Sequence, residues 1–440
     1  MSFERTRRLT LNNVRLQFVI FCATYICAIL KQGKELTMNF QSIIKFLFIF
    51  LIIGAISGYP LVAAISSIFD ISSSVFSVAF RASIAICSIL CIIFSMRAIQ
   101  PVSNTQVLMF FILFLYSMRL FFETFFRPEI LSQDPSYYWF LFLGSTVLPT
   151  TAIILTKQIA GTKTLTTLIM TLLIVALIIF YKISFVNNNI YGFNFAGRGS
   201  LEKLNPISVS DVGGSLILLC TWSLFASEFG KKKNMILLLF GFLFGLYTLL
   251  IGASKGPIVS TAISLLLLLM SQKFEKKNKI LFSIIVILLI TYVGNSGDFF
   301  NFHSLSYRFQ NALSGGDESS LERVELWKFG FTSIISNPFL GSGIEVRELR
   351  FYPHNFFIEM FMAIGIFGGI LSVLLFASIS TSGLRLLFRK HSTGWSTLIF
   401  FQYFIGSMFS GSVYSNSIVW VSAAFVTSSW WLLKKSTRAV

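Results

Sequence analysis

The chain has 440 residues, 55% of them hydrophobic and 12% charged, with a mean hydropathy of +0.78. A soluble domain carries roughly 25% charged residues, so this chain lacks the charge to cover a water-soluble body, and soluble enzymes are excluded. The net charge of +17, from 35 Lys+Arg against 18 Asp+Glu, fits the basic cytoplasmic loops of a membrane protein rather than nucleic-acid binding.

Apolar runs near the ~20 residues that a spanning helix needs predict segments at 14–30, 43–64, 75–96, 105–122, 138–156, 164–182, 208–226, 235–251, 256–271, 280–294, 356–379, 396–414 and 417–433. Basic clusters orient them. Lys231-Lys232-Lys233, then Lys273 to Lys279, then Arg385 to Lys390, then Lys434 to Arg438 are separated by two spans each, so all four can be cytoplasmic at once. The loops at 65–74, 123–137, 183–207, 252–255, 295–355 and 415–416 then face outward.

The segment 14–30 disagrees, because it would leave Arg5, Arg7, Arg8 and Arg15 outside. Met38 follows it directly. Residues 1–37 are therefore read as an upstream mis-assigned start or a non-spanning arm. The expected architecture is an all-α membrane bundle of about twelve helices. It divides into a bundle at 38–294 with an outward hairpin tip at 252–257, a long outward loop at 295–355 and C-terminal spans at 356–440, with both termini inside. Cys22, Cys27, Cys87, Cys91 and Cys220 all fall in apolar runs, which suggests packing rather than a disulfide framework or metal site.

The loop 295–355 is the only long polar stretch. Ser319-Ser320-Leu321-Glu322 looks like a capping box opening a helix that Asn337-Pro338 stops. That helix is apolar enough to lie on the membrane surface or roof a cavity. Gly341-Ser342-Gly343 then makes a turn.

The informative residues are basic ones on the outward side. Arg198, Lys203, Lys255, Arg308, Arg323, Lys328, Arg347 and Arg350 map there, and Arg81, Arg119 and Arg127 sit near the outward ends of their spans. An ion pair or a snorkelling side chain is the plain explanation for any one of them. As a set they suggest a phosphate pocket, since Arg grips a diphosphate through planar, bidentate hydrogen bonds. Lys255 occupies a hairpin tip whose Gly256-Pro257 opens a helix, and helix N-termini attract anions; a tight turn with a snorkelling Lys is the alternative. His354 precedes the span at 356–379, with Asn355 placed to cap it. The positive helix end disfavours imidazolium, which leaves a neutral ring able to accept a proton, against a capping or packing role. The chain has no H-E-x-x-H, Walker or G-x-S-x-G motif, and its outward loops have no D-x-D pair in a metal-binding context.

Four stretches together resemble the bacterial O-antigen polymerase and O-antigen ligase superfamily of integral membrane glycosyltransferases. They are Gly197-Arg198 with Leu204-Asn205-Pro206; Ser254-Lys255-Gly256-Pro257; Glu322-Arg323 through Trp327 to Asn337-Pro338-Phe339-Leu340-Gly341-Ser342-Gly343; and Pro353-His354-Asn355 with Glu359, Gly365 and Gly368. The departure is Lys255, where the family usually has Arg. The resemblance implies a bacterial inner-membrane enzyme with a periplasmic site and an undecaprenyl-diphosphate-linked oligosaccharide as donor. It implies an inverting, metal-independent transfer without a cofactor. His354, Arg323 and Arg198 would be catalytic, and Lys255 and Arg308 would bind the diphosphate. The compact loop between Arg323 and His354 favours a polymerase, whose acceptor is another lipid-linked repeat. A ligase acting on lipid A-core is the alternative, and a lipid-linked oligosaccharide flippase is the non-enzyme rival. Besides the bilayer, a chain-length-regulating membrane protein is a candidate partner; nucleic acid is not.

Overall fold

The computed structural model describes residues 40–69, 73–96, 101–156, 162–186, 204–225, 232–252, 254–271 and 318–437. Arg198, Lys203, Arg308, the arm at 1–37 and the expected span at 280–294 lie outside the described residues.

Among the described residues the chain is helical, with one isolated bridge, Val346 to Phe351. Helix α1 (Phe40–Ile53) passes through a π-helical stretch (Gly54–Gly58) into α2 (Tyr59–Phe69). Next come α3 (Ser73–Ser95) and α4 (Asn104–Phe126), then α5 (Pro135–Trp139), which runs through a second π stretch (Phe140–Val147) into α6 (Leu148–Thr156). Helices α7 (Thr162–Val186), α8 (Pro206–Phe225), α9 (Lys232–Ile251) and α10 (Lys255–Ser271) follow. After α11 (Glu318–Ser336), the chain ends with α12 (Phe356–Phe388), α13 (Gly394–Gly406) and α14 (Ser417–Ser436). Seven described spans are long and apolar enough to cross a membrane, and the helices at 235–251 and 255–271 are shorter apolar ones.

These helices follow the apolar runs, with local differences. The run at 396–414 gives a helix only to Gly406; turns occupy most of the residues up to Asn416, where the sequence becomes rich in Ser and Gly. The run at 356–379 continues as helix to Phe388, because the polar residues beyond 379 are Ser and Thr, which return hydrogen bonds to the preceding turn. Ser319 and Ser320 do not cap α11 but lie within its first turn, since the helix already begins at Glu318.

The helices pack through small residues, as membrane bundles do. A Cβ at Gly213 of α8 would meet the backbone of Gly245 and Leu249 on α9, so these two helices touch main chain to main chain. The fully buried rings of Phe356, Phe376, Phe400 and Trp420 join α12, α13 and α14.

Helix α12 is broken near its start. Ile364 and Gly365 leave helical geometry, and Gly365 takes φ 68° and ψ −175°, a region essentially reserved for glycine. The loop that ends α11 fills the break. Ile366 N–H donates to the Pro338 carbonyl at 2.7 Å, and Ser342 N–H donates to the freed Met362 carbonyl at 2.7 Å. A Cβ on Gly365 would collide with the Phe339 carbonyl. The Asn337–Gly343 stretch and Gly365 are thus two halves of one joint.

Candidate active site

The histidine is held by the start of α12. Asn355 caps that helix, its Oδ1 accepting from Phe357 and Ile358 N–H at 3.1 Å each, while its Nδ2 donates to the Met408 carbonyl. Trp327 of α11 donates from Nε1 to the Pro353 carbonyl at 2.9 Å, which fastens α11 to the same turn. Arg323 sits one turn before Trp327 on α11, and its charge reaches both His354 and Tyr352.

His354 adopts φ 53°, uncommon for any residue but glycine, and such backbone outliers gather at functional sites. Its ring packs against Phe351 and Tyr352, with centroids at 5.2 and 4.6 Å. Nδ1 is buried with no hydrogen-bond partner among the described residues. Burial first, and the Arg323 charge second, push its pKa from 6.5 down to about 4. The ring is neutral, as the sequence suggests, but the cause is burial with Arg323 rather than the helix end.

The outward arginines separate once their contacts are seen. Arg119 pairs with Glu123 on the next turn of α4 at 2.9 Å. Glu123 also accepts from Ile344 N–H, so this pair braces the loop after α11. Arg127 lies over the Phe122 ring. Arg347 is exposed and donates to the Ser342 carbonyl. These have the plain structural role. Two carboxylates of the same region are also braces. Glu345 accepts from Tyr138 Oη at 2.7 Å and from Ser132, and burial holds its pKa above the usual carboxylate range. Glu359 is fully buried and accepts from Tyr116 Oη at 2.6 Å and from Val413 N–H. Both tie the loop and helix around the histidine turn to the bundle.

Beside the histidine turn lies a cavity of about 390 Å³. Two of the four motif stretches line it, through Asn205 at the start of α8 and Pro257 on the first turn of α10, and Tyr352, two residues before His354, lines it as well. Lys255 sits two residues ahead of Pro257, is partly buried and is not among the residues that line the cavity. Both π stretches border the cavity through Gly54, Ala55, Leu141 and Ser145. Such stretches are rare and frequent at functional sites. The remaining wall is mainly hydroxyl, amide and phenol, including Ser208, Ser407, Asn416, Tyr59, Tyr137 and Tyr403, with Arg81 and Asp211 as its charged members. In the sequence Arg81 belongs to the outward basic set that suggests a phosphate pocket, whereas Asp211 looks like an ordinary polar interruption in a span and is not singled out. An ionisable residue within a span is itself a functional signal, and Asp211 carried it.

Residues 240–373 match the family described as O-antigen ligase. The matched stretch runs from the helical hairpin through the broken helix, and there the chain is similar to O-antigen ligases. The match spans Lys255, Arg308, Arg323 and His354; Arg198 precedes it. No curated protein and no solved structure matches the chain.

Proposed function

We propose that this protein is an O-antigen polymerase-type glycosyltransferase that lengthens a lipid-linked surface glycan on the periplasmic face of a bacterial inner membrane. The observation that supports this reading is that Asn205 and Pro257, from two motif stretches, line one cavity with Tyr352, two residues before His354, whose ring feels the Arg323 charge.

In this reading the donor is an undecaprenyl-diphosphate-linked oligosaccharide. An acceptor sugar hydroxyl attacks the donor's anomeric carbon from the face opposite the diphosphate. The new glycosidic C–O bond forms as the anomeric carbon–phosphate oxygen bond breaks, with inversion. The hydroxyl proton passes to His354, whose neutral ring is able to take it. Since Nδ1 is buried, Nε2 is the nitrogen left for the hydroxyl. The bond electrons leave with the diphosphate, whose growing charge Arg323, Arg198 and Lys255 offset, with Arg308 in support. Fixed donors aimed at developing charge are worth more than mobile ones.

The family description favours a second reading, ligation of the glycan to lipid A-core. Purified protein supplied with lipid-linked repeat units, with and without lipid A-core, separates the two. Chain growth on lipid-linked repeats supports polymerase, and transfer only to lipid A-core supports ligase. Product that persists in His354→Ala and His354→Asn, at normal protein level, would remove His354 from the chemistry. Asn is chosen because it tolerates the left-handed backbone that His354 adopts.

A further inference from the structure

Arg81 and Asp211 are the two charged residues that line the cavity, and the proposed transfer uses neither. Both stand within membrane spans, Arg81 on α3 and Asp211 on α8. Charged side chains at that depth are costly and normally pair with one another. These two do not: Arg119–Glu123 is the ion pair found among the described residues, and no hydrogen bond to either the Arg81 guanidinium or the Asp211 carboxylate is formed there. Asp211 is held firmly even so, because Gln402 Nε2 donates to its backbone carbonyl at 2.8 Å. Its backbone is thus held in place where the side chain lines the cavity, and Arg81 lines the same cavity with Tyr59 and Tyr137.

The geometry points to a sugar-binding cavity in which Asp211 accepts hydrogen bonds from ring hydroxyls and Arg81 holds an anionic group attached to that sugar. A single ligand bearing both hydroxyls and an anion supplies the partner that each residue lacks among the described residues. The rest of the wall suits a sugar: phenol rings give flat apolar faces, and Ser208, Ser407 and Asn416 give further donors and acceptors. A purely apolar lipid chain would leave both charges unpaired, which is a cost that a membrane protein would not retain. The anion is a carboxylate on the sugar or the diphosphate joined to it. This inference rests on the glycosyltransferase reading for the identity of the sugar, but not for the existence of the site.

The test is direct binding to the full chain in detergent or nanodiscs, without turnover. Two probes are used: the free repeat-unit oligosaccharide released from its lipid, and undecaprenyl diphosphate carrying no sugar. Asp211→Asn keeps the shape and removes the charge. It is expected to weaken the free oligosaccharide roughly tenfold or more, as for a lost hydrogen bond to a charged group, while undecaprenyl diphosphate binds as before. That retained binding also shows that the variant is folded. Arg81→Gln is expected to weaken one of the two probes by a similar factor. Loss of the oligosaccharide places the anion on the sugar, and loss of undecaprenyl diphosphate places it on the lipid side. Unchanged oligosaccharide binding in Asp211→Asn, or Arg81→Gln that binds both probes normally, overturns the assignment. Failure of the functional reading looks different: wild-type protein would bind the oligosaccharide through Asp211 yet form no glycosidic bond.

Discussion

The neutral state of His354 sets a pH dependence that a surface histidine could not give. The perturbation is acidification from pH 7.5 to 4.5. A histidine at its ordinary pKa of 6.5 would be only about 3% neutral at pH 5. With its pKa pushed down to about 4, His354 remains about nine-tenths neutral there, so the competent base persists. The acid limb of kcat/KM, which reports groups of the free enzyme, is expected near pH 4. Arg323 contributes to the depression, so Arg323→Gln should move that limb upward while it lowers the rate. Stability follows the same sign. Between pH 6.5 and about 4 the unfolded chain takes up a proton that the folded chain refuses, so stability is present above 6.5 and is lost as pH falls toward 4, by about 3 kcal/mol. The assay is initial rate at low donor concentration across pH 4–8, with thermal unfolding of the same samples as control. Half-loss of kcat/KM near pH 6.5 in folded wild-type protein would refute the buried-base argument.

Other expectations follow from the same geometry. If Arg323 and Arg198 orient the leaving diphosphate, Arg323→Lys and Arg198→Lys should each lower polymer yield by ~10²–10³, because Lys keeps the charge but lacks the planar fork; near-normal polymer from both would reduce their role to diffuse charge. Lys255→Arg should be tolerated or raise the yield, since it restores the residue usual at such hairpin tips. Expression from Met38 in a deletion strain should restore wild-type glycan, and loss of glycan at normal protein level would make residues 1–37 functional. Gly365→Ala should cost at least ~1–3 kcal/mol from backbone strain, and more from the clash with the Phe339 carbonyl, visible as a lower unfolding temperature and protein level; a stable variant would mean that the α11–α12 joint can reopen.

Hydropathy marked most of the described helices because lipid imposes its length and composition on every span. Single residues were legible where one chemical rule governs them. Asn355 was readable as a cap and Asn337-Pro338 as a helix stop. What escaped depends on neighbours remote in sequence. The stop at Gly406 escaped because the residues after it remain apolar enough to continue a span. Arg119 looked like a candidate phosphate ligand until Glu123 was found beside it at 2.9 Å. The break in α12 needs Pro338 and Met362 to share hydrogen bonds across the joint, which no local pattern announces.

The two π stretches show why the cavity could not be read from composition. Gly54–Gly58 and Phe140–Val147 sit within apolar runs that look continuous, and hydropathy carries no sign of where a helix widens. Widening shifts the faces of the residues that follow. On α1–α2 it precedes Tyr59, and on α5–α6 it begins just after Tyr137, so both phenols stand at the ends of widened turns and line the same cavity as Arg81. Gly54 and Gly58 also leave room for α3: a Cβ at either would strike Ile84 or Phe80, the neighbours of Arg81 on that helix. Close approach of α3 to this widened turn is what carries Arg81 inward, at a depth where an arginine facing lipid would be costly. A charge that sequence alone places near the outward end of a span is thereby turned toward Asp211's cavity, by helix geometry that no motif announces.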